Sequence, residues 1–463
     1  MKIGVIGAGY VGLTAGACLA GLGHEVICSD NDEAKLQRLQ AGEVPFFEPN
    51  LADLIAQSVA ARLLRFASPA EAVAAAEAVF ICVGTPPLPN GDADLSSLDN
   101  AARLIAARAA GYRLVISKST VPVRTAQQLR KQLKAYSRGG LDYDVVSNPE
   151  FLREGSAVED FFHPDRIVLG VESERAERIM RQIYESLLAP RRSCPVHAAC
   201  PPAAPPAVLV TDTNSAELIK HAANSFLAAK ISYINMVADL CSASGANIDH
   251  VVAGLGLDVR IGPHFLRPGI GFGGFCFPKD LQAFVRIGEA AGCDFTLLRE
   301  AERINAARID RFLALMAREL WVLRGKKLAL WGLAFKPNTD DVRFAPALEL
   351  ARRLLAEGAE LCAYDPQAAR NAQARLPLLR CAGDPYEAAA GADALLILTE
   401  WDEFRRPDWS ALSGALARPL IFDGRNLLSP TEAAAHGFQY FSIGRPPAVP
   451  AEARAPVAAV QGG

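Results

Sequence analysis

Short apolar runs alternate with segments of helical periodicity over the first 150 residues. The runs are "KIGVIG" at 2–7, "HEVICSD" at 24–30 and the later segments "AEAVFICVGTP", "YRLVISKST" and "YDVVSNPEF". Alternation of this kind is typical of a parallel sheet covered by helices on both faces. The pattern predicts a doubly wound α/β domain, which we place at residues 1–210.

A long helix is predicted next. Residues 215–244 contain no Pro or Gly and repeat apolar side chains near helical spacing. The strand and helix alternation restarts at "KKLALWGLAFK" and continues through "GAELCAYD", "DALLILT" and "PLIFDG". We therefore expect a central helical segment at 211–320 and a second doubly wound domain at 321–443.

Two segments lack apolar periodicity. Residues 191–208 are rich in Pro and Ala, and we interpret them as a surface loop. Cys194, His197 and Cys200 lie there, but three ligands within seven residues and no fourth nearby are a weak zinc signal, so we expect no metal site. Residues 444–463 are expected to form a disordered tail.

The composition excludes several classes of partner. The 463 residues include 48 basic and 51 acidic side chains, a net charge of −3 that gives no global field for nucleic acid or membranes. The N-terminal "MKIGVIGAGY" is too briefly apolar for a membrane span and lacks a cleavage site. Ten scattered cysteines are typical of a reduced protein. We expect a cytoplasmic protein without nucleic-acid or membrane partners.

The turn "GAGYVG" has the spacing of a dinucleotide-binding site. Gly7, Gly9 and Gly12 follow a predicted strand and open a predicted helix, which lets the backbone approach a pyrophosphate. Asp30 ends the next strand, where its carboxylate can bind a ribose diol and repel a 2′-phosphate. The arrangement predicts NAD as the cofactor rather than NADP.

Cys276 lies in "GFGGFCFPKD", between a glycine-rich turn and the predicted start of a helix. A helix N-terminus or a nearby positive charge favours the thiolate, and glycines would let a substrate come close. Most free cysteines are buried small hydrophobic residues. On local sequence alone, the nucleophile and the buried thiol are equally supported.

Several polar residues occupy positions that favour a functional site. Lys220 and Asn224 share one face of the predicted long helix, and Glu150 and Glu154 follow a predicted strand. Each also has an ordinary structural explanation, such as a partly buried lysine stem or a helix N-terminal charge. Basic residues suited to an anion occur in the second α/β segment: Lys336, Arg343 and Arg425.

Taken in order, these motifs resemble a known enzyme family. The ordered set is "GAGYVG", "VGTPP", "KSTVPV", "NPEFLREG", "AELIKHAANSFLAAKISYIN", "GFGGFCFPKD" and "GLAFKPNTDDVR". It resembles the UDP-glucose/GDP-mannose dehydrogenase family from residue 1 to about residue 440. The resemblance implies two Rossmann-like domains joined by a long central helix, with NAD in the first, a nucleotide sugar in the second and a homodimer formed through the helix.

The resemblance also implies a reaction and its residues. UDP-glucose would be oxidised by four electrons to UDP-glucuronate, with Cys276 forming a thiohemiacetal and then a thioester that water hydrolyses. Lys220 and Asn224 would stabilise oxyanions, and Asp280 would assist proton transfer. Glu150 would assist hydrolysis, and Thr120 would position water.

By the same resemblance, NAD would contact Gly7, Gly9, Tyr10, Val11, Gly12, Asp30, Lys35, Thr85, Thr120, Glu154, Lys279 and Arg343. The UDP-sugar would contact Phe151, Leu152, Arg153, Lys220, Asn224, Phe265, Gly273, Lys336 and Arg425, with Arg260 supplied by a dimer partner.

Three features depart from the family pattern. Phe275 precedes the cysteine where a small residue is usual, Arg124 replaces a glycine in "STVPVR", and the segment 191–208 is longer than expected. A GDP-mannose or UDP-N-acetylhexosamine dehydrogenase is the nearest alternative, although "FGGFCFPKD" favours UDP-glucose over the "GGHCIPVDP" form. A catalytically idle nucleotide-sugar-binding protein is the other alternative.

Overall fold

A computed structural model describes residues 1–138, 140–189, 193–197, 200 and 204–450. The chain forms two compact units. The N-terminal unit contains Met1–Asn224 and Lys279–Asp294, and the C-terminal unit contains Ser225–Pro278 and the described residues from Phe295 onward.

Strands of the N-terminal unit form one sheet. They are β1 Lys2–Ile6, β2 Glu25–Ser29, β3 Leu64–Ala67, β4 Ala78–Ile81, β5 Arg113–Ser117, β6 Tyr143–Ser147, β7 Arg166–Gly170 and β8 Ala207–Thr211.

The sheet order is β3-β2-β1-β4-β5-β6-β7-β8, whose first six strands have the dinucleotide-binding order. Its strands pair in parallel except at β6 and β7, which meet antiparallel where Ser147 faces Gly170. Strands β1 and β4 are neighbours although β2 and β3 lie between them in sequence. The strand order therefore reverses beside β1, where ligands of open α/β sheets bind.

The C-terminal unit repeats this architecture. Its strands are β9 Lys327–Trp331, β10 Glu360–Tyr364, β11 Arg380–Cys381, β12 Ala394–Ile397, β13 Leu420–Asp423 and β14 Gln439–Ser442. The order β11-β10-β9-β12-β13-β14 is parallel throughout.

Helices connect the strands. They are α1 Tyr10–Gly21, α2 Glu33–Gln40, α3 Leu51–Ala60, α4 Pro69–Ala75, α5 Ser96–Arg108, α6 Thr125–Tyr136, α7 Ala157–Phe162, α8 Glu174–Ile183, α9 Glu185–Leu188, α10 Thr213–Ser244, α11 Ile248–Leu257, α12 Cys276–Ala290, α13 Thr296–Ala306, α14 Arg308–Leu320, α15 Pro346–Ala356, α16 Ala369–Arg375, α17 Pro385–Ala389, α18 Trp409–Ala415 and α19 Pro430–Ala435.

Each sheet has its own apolar core. Val5, Phe80 and Ile116 are fully buried in the N-terminal unit, and Leu330 and Phe422 are fully buried in the C-terminal unit. Central strands of parallel sheets are covered on both faces, which explains why their sequences read as continuous apolar runs. The prediction of two Rossmann-like sheets and a long helix between them in sequence is confirmed.

The prediction of a loop through residue 208 is wrong at its end. Ala207–Thr211 forms β8 and pairs in parallel with β7. The reason is local, because Val208, Leu209 and Val210 follow the last proline and favour an extended strand. Strands β3, β7, β11 and β14 were also missing from the sequence prediction.

The predicted start of the disordered tail, residue 444, is too early in the sequence. Ala448 forms an antiparallel bridge with Tyr440, and the Arg445 guanidinium pairs with Asp249 at 2.7 Å. Residues 451–463 lie outside the described part of the chain.

Within the described residues, no helix combines the length and apolarity needed to cross a bilayer.

Candidate active site

The turn after β1 has the backbone geometry of a dinucleotide site. Gly7 has a φ of +100°, and a Cβ on Gly12 would lie 1.8 Å from the Gly7 carbonyl oxygen. Gly9 faces open space at the start of α1, and a Cβ there would meet nothing within 4 Å. The protein's own backbone thus excludes a side chain at Gly7 and Gly12. The open space at Gly9 leaves room for a ligand against the N-terminus of α1.

Asp30 follows β2 and lies beside this turn. Its carboxylate accepts hydrogen bonds from the Ala8 amide and the Lys35 ammonium, both at 2.9 Å. Burial raises the pKa of Asp30, but hydrogen bonds from Lys35, Asp32 and Ala8 outweigh it, so the pKa lies below its usual value. The residue is therefore a fixed carboxylate, as a ribose diol requires. The glycine cradle and Asp30 together fit NAD.

Tyr10 and Val11 begin α1. The Tyr10 hydroxyl donates to the Glu48 carboxylate, which also accepts the Gly155 and Ala157 amides, each at 2.6 Å. Burial and the Glu48 charge raise the pKa of Tyr10 far above its usual value. Val11 packs against the core. Glu48, absent from the sequence prediction, therefore ties the dinucleotide turn to the segment after β6.

A chain of polar contacts continues from the loop after β4. The Thr85 hydroxyl donates to the Thr120 carbonyl oxygen at 2.8 Å, and the Lys279 ammonium lies 3.5 Å from the Thr85 hydroxyl oxygen. These three residues line a small cavity together with His221 and Pro122. The predicted cofactor residues Thr85, Thr120 and Lys279 are thus neighbours.

One face of α10 carries four buried polar residues. Glu217, Lys220, His221 and Asn224 have the i, i+3, i+4 and i+7 spacing of a single helical face, and each is at most 8% exposed. His221 lies with Nε2 at 2.9 Å from the Val121 carbonyl oxygen. Burial lowers the pKa of His221 and favours the neutral ring.

Lys220 and Glu150 form a buried ion pair. The ammonium lies 2.9 Å from the Glu150 carboxylate, with both side chains 6% exposed. Glu150 also accepts the Leu152 amide at 2.6 Å. The Phe151 ring faces Lys220 at 5.5 Å and Arg166 at 3.8 Å. The sequence prediction placed Lys220 and Glu150 in one site, and the structure brings them into direct contact.

Asn224 and Asp280 form the second buried contact. The Asn224 amide donates to the Asp280 carboxylate at 2.7 Å, and Lys279 pairs with the same carboxylate at 2.8 Å. Burial raises the pKa of Asp280, but the charges of Lys279 and Lys220 outweigh it and the pKa lies below its usual value. Asp280 is therefore ionised.

The neighbouring segment carries the other predicted residues of this unit. Leu152 packs against the core, and Glu154 is buried. The Arg153 guanidinium pairs with Asp160 of α7 at 2.6 Å and is largely exposed. Arg153 therefore fixes its own segment to α7 while its side chain stays accessible.

The C-terminal unit holds the glycine loop, defined here as residues 269–275. Gly271 and Gly274 have φ values of +108° and +80°. A Cβ on Gly273 would lie 2.2 Å from the Phe344 carbonyl oxygen, and one on Gly274 would lie 2.6 Å from the Phe335 ring. The glycines are thus required by backbone conformation and by close packing against the segment after β9.

Hydrogen bonds with one buried and two half-buried side chains hold the glycine loop in place. Arg425, after β13, donates to the Gly271 carbonyl at 2.9 Å and the Leu398 carbonyl at 2.8 Å. Asn305 accepts the Phe272 amide at 2.8 Å, and Asn235 accepts the Gly269 amide at 2.9 Å. Arg425 therefore fixes the loop, a role that its predicted assignment to substrate did not include.

Cys276 is the first residue of α12 and is half-buried. The guanidinium of Arg343 lies 4.5 Å from the centre of the Phe275 ring and pairs with Asp341 at 2.6 Å. Phe275, the bulky residue beside the cysteine, is thus accommodated by stacking with a predicted cofactor residue.

The remaining predicted substrate residues also belong to this unit. Phe265 has a φ of +63° and its ring lies 6.2 Å from that of Phe277. The Lys336 ammonium lies 5.4 Å from the Phe335 ring. Arg260 pairs with Asp258 at 2.6 Å and is 85% exposed.

Cys276 belongs to the C-terminal unit, and Lys220, Glu150, Asn224 and Asp280 belong to the N-terminal unit. Residues missing from the sequence prediction were Glu48, Glu217, His221 and Asn305. For Glu217 and His221 a signal existed, because both share the helical face of Lys220. Glu48 and Asn305 carry no local signal, since their partners are distant in sequence.

Models of one family match three parts of the chain. The NAD binding domain of the UDP-glucose/GDP-mannose dehydrogenase family matches residues 1–188, its central domain matches 214–307, and its UDP binding domain matches 329–430.

Individual relatives agree over nearly the full length. The UDP-glucose 6-dehydrogenase of Rhizobium meliloti (strain 1021) is 45% identical over 455 residues, covering 96% of this chain and 100% of the relative. That of Pseudomonas aeruginosa is 43% identical, covering 96% and 98%. The structure of a UDP-glucose dehydrogenase from Pyrobaculum islandicum superposes with a TM-score of 0.85 at 37% identity, covering 96% of this chain and 98% of that one.

Proposed function

The chain belongs to the UDP-glucose/GDP-mannose dehydrogenase family, and we propose that it oxidises UDP-glucose to UDP-glucuronate with NAD. The proposal includes two successive oxidations of the same carbon with Cys276 as the covalent nucleophile. The near full-length similarity to UDP-glucose 6-dehydrogenases supports the choice of substrate.

The observation that carries the proposal is the buried polar face of α10. Two contacts, Lys220 with Glu150 and Asn224 with Asp280, place charged groups out of water. Burying such charges is unfavourable for stability unless they are paired, and apolar residues of similar size would often serve stability equally well. Buried, charge-coupled groups are typical of catalytic sites.

The Cys276 thiolate would attack the C6 aldehyde produced by the first oxidation. The new carbon–sulfur bond gives a thiohemiacetal, and the second oxidation converts it to a thioester. A cysteine sulfur suits this reaction because it acts as the nucleophile in the attack on the aldehyde and as the leaving group when the thioester is hydrolysed. Lys220 donates to the oxyanion formed at C6, and Asn224 supplies a second hydrogen bond.

Hydrolysis of the thioester requires an activated water. Glu150 and Asp280 are the carboxylates assigned to this step, and the lowered pKa of Asp280 keeps it ionised. Thr120 would position the water. The carboxylate product then leaves, and the Cys276 sulfur is restored.

The glycine turn and Asp30 would hold NAD, and two NAD molecules used in succession would supply the oxidising power for the two oxidations of one substrate molecule. The UDP moiety would bind the C-terminal unit, whose predicted contacts include Lys336 and Gly273. Arg425 supports this assignment indirectly, because it positions the glycine loop that precedes Cys276.

We further propose that the protein is a cytoplasmic homodimer. Exposed apolar residues lie along the later part of α10, with Phe226 and Leu240 both 67% exposed and Tyr233 52% exposed. Their spacing of seven residues puts them on one helical face. Large exposed apolar patches commonly mark protein interfaces.

The decisive experiment counts NADH formed per sugar consumed. Purified protein receives NAD with UDP-glucose, GDP-mannose or a UDP-N-acetylhexosamine in parallel reactions. We expect about two NADH per UDP-glucose, because the product is a carboxylate rather than an aldehyde. If only another sugar is oxidised, that sugar is the substrate and the proposal of UDP-glucose is wrong. If no sugar is oxidised, the proposed dehydrogenase activity is wrong.

A variant tests the covalent step. Cys276→Ala should lower acid formation roughly 10³-fold or more, about 4 kcal/mol of barrier, while NAD affinity stays near wild type. Cys293→Ala, at an exposed cysteine, is the matched control and should retain activity. Acid formation at the wild-type rate by Cys276→Ala would contradict the thioester route.

A further inference from the structure

Four potential metal ligands converge in the N-terminal unit. They are His163, at the end of α7, and Cys194, His197 and Cys200 from the segment before β8. Their nitrogen and sulfur atoms all lie within 4.8 Å of one another. The sequence interpretation found three of these residues and no fourth nearby. It was wrong on that point, because the fold supplies His163 from 31 positions before Cys194.

The distances in this cluster match a tetrahedral site. His163 Nε2 lies 3.3 Å from the Cys194 sulfur and 3.9 Å from the Cys200 sulfur, and His197 Nδ1 lies 3.6 Å from the Cys194 sulfur. With Zn–S near 2.3 Å and Zn–N near 2.0 Å, nitrogen and sulfur on adjacent corners of a tetrahedron are about 3.6 Å apart. A zinc ion could therefore bind with little movement of the side chains.

Contacts around the cluster orient its members. His197 directs Nδ1 toward Cys194 while its Nε2 lies 3.5 Å from the Glu159 carboxylate. A carboxylate on the second ring nitrogen is the usual partner of a zinc-bound histidine, because it fixes the tautomer that leaves the first nitrogen free to bind. The His197 amide also donates to the Cys194 sulfur at 3.2 Å, which favours a thiolate.

The segment that carries the cluster is anchored to the folded unit. Val196, between two of the ligands, packs against the N-terminal core, and the Cys194 amide donates to the His197 carbonyl at 3.0 Å to close a turn. The backbone of His163 is held at the end of α7, because its N–H donates a hydrogen bond to the Glu159 carbonyl oxygen. The ligands therefore come from two positions that the fold already fixes.

We propose that His163, Cys194, His197 and Cys200 bind one Zn²⁺ as a structural site. Two thiolates balance the charge of the ion, and binding would release the two thiol protons. Four protein ligands complete a tetrahedron and leave no open position for substrate, which distinguishes this site from a catalytic zinc. The set of two sulfurs and two nitrogens suits zinc better than magnesium or calcium.

The ion would join the segment before β8 to α7. Helix α7 also supplies Asp160, which pairs with Arg153, and its first residue, Ala157, bonds to Glu48. The metal thus belongs to a set of contacts that fixes the chain after β6. Its expected effect is on thermal stability rather than on the chemistry at Cys276.

The first test is the metal content of untagged protein purified under reducing conditions. After incubation with Zn²⁺ and desalting, mass spectrometry should find about one zinc per chain, and Cys194→Ser and Cys200→Ser should each lose most of it. Cys293→Ser, outside the cluster, is the matched control and should keep the ion. Zinc-free wild-type protein after this loading, or full occupancy in both cluster variants, would overturn the proposal.

The second test separates metal binding from folding. His197→Ala should lose zinc, whereas His197→Cys keeps a ligand atom there and should retain it. Glu159→Gln should weaken zinc affinity about 10- to 100-fold in a chelator competition while leaving the stoichiometry unchanged. Substituted Co²⁺ should show the visible absorption of a tetrahedral ion with sulfur ligands. An octahedral spectrum, or equal zinc affinity in His197→Ala and wild type, would contradict the site.

Discussion

At the scale of single residues, Glu217 shows how burial alters an ordinary carboxyl group. It lies on α10 one turn before Lys220 and accepts the Ala126 amide at 2.7 Å and the Ser147 hydroxyl at 3.2 Å. Burial raises the pKa of Glu217 to about 7, although hydrogen bonds from backbone amides and Ser147 lower it in part. The protonated form therefore predominates in the folded protein below about pH 7.

This shift predicts a pH-dependent stability. Between the ordinary value of 4.5 and a folded pKa of about 7, the folded chain binds more protons at Glu217 than the unfolded chain. Its stabilising contribution is complete below 4.5 and is lost as pH rises through 7. At about 1.4 kcal/mol per pKa unit, the loss is at most a few kcal/mol.

Glu217→Gln should remove this dependence. The variant should be more stable than wild type at pH 8, and the difference should shrink at pH 5, as measured by thermal unfolding across that range. Exposed Glu25→Gln is the control and should follow the wild-type profile. A constant difference between Glu217→Gln and wild type at all pH values would contradict the assignment.

Prediction at the level of residues is possible where chemistry and local spacing coincide. The turn at Gly7, Gly9 and Gly12 was identifiable because the glycines fall between a strand and a helix. Glu48 was not, because its function depends on amides more than 100 positions away. Burial and partners of this kind arise only when distant segments meet, and no local pattern encodes them.

At the scale of elements, the start of α6 explains a departure from the family pattern. Arg124 precedes α6 with φ +74° and ψ +10°, a left-handed conformation that favours glycine. An L-residue is roughly 1–2 kcal/mol less stable there than in the right-handed region. The side chain is exposed. The glycine expected at this position therefore has a conformational reason that does not require a cofactor contact.

Arg124→Gly should stabilise the protein by up to about 1 kcal/mol, since the relief of strain exceeds the added flexibility of the unfolded chain. Arg124→Ala removes the same charge but keeps a Cβ, so it should remain near wild type. Urea unfolding of the three proteins compares them directly. Equal stability of the glycine and alanine variants would show that the strain is unimportant.

The long helix and the segment before it mark the limits of element prediction. Helix α10 begins at Thr213, within two residues of the predicted start, because its apolar repeat is long and free of Pro and Gly. Strand β8 was lost inside a Pro-rich segment, although its own residues favour a strand. The Pro-rich and Ala-rich composition of residues 191–208 as a whole concealed the short strand β8 at its end.

At the scale of the whole molecule, the exposed stripe of α10 predicts assembly. Phe226→Glu with Leu240→Glu should convert the proposed dimer to monomer, because two carboxylates would be buried at an apolar contact. Light scattering after size exclusion gives the mass. Leu378→Glu, at a residue 80% exposed elsewhere in the same unit, is the control and should leave the mass unchanged. A monomeric wild-type protein would refute the proposal.

The overall architecture was predictable because parallel sheets repeat one pattern of strand and helix. The first six strands of the eight-stranded N-terminal sheet and the six strands of the C-terminal sheet are compatible with that repeat and with right-handed connections between parallel strands, although the sequence prediction lacked some of these strands. The cluster of His163, Cys194, His197 and Cys200 was not predictable, because His163 lies at the end of α7 and is distant in sequence from the other three residues.

The bond from Arg425 to the Gly271 carbonyl has a consequence for biosynthesis. It joins positions 154 residues apart, so the chain must be synthesised through residue 425 before the bond can form. Contacts of such separation form late because closing a long loop is entropically costly. A nascent chain that stops before residue 425 would carry Cys276 beside a loop that lacks this anchor. The final conformation of the loop that precedes Cys276 should therefore be reached only after residue 425 has been synthesised.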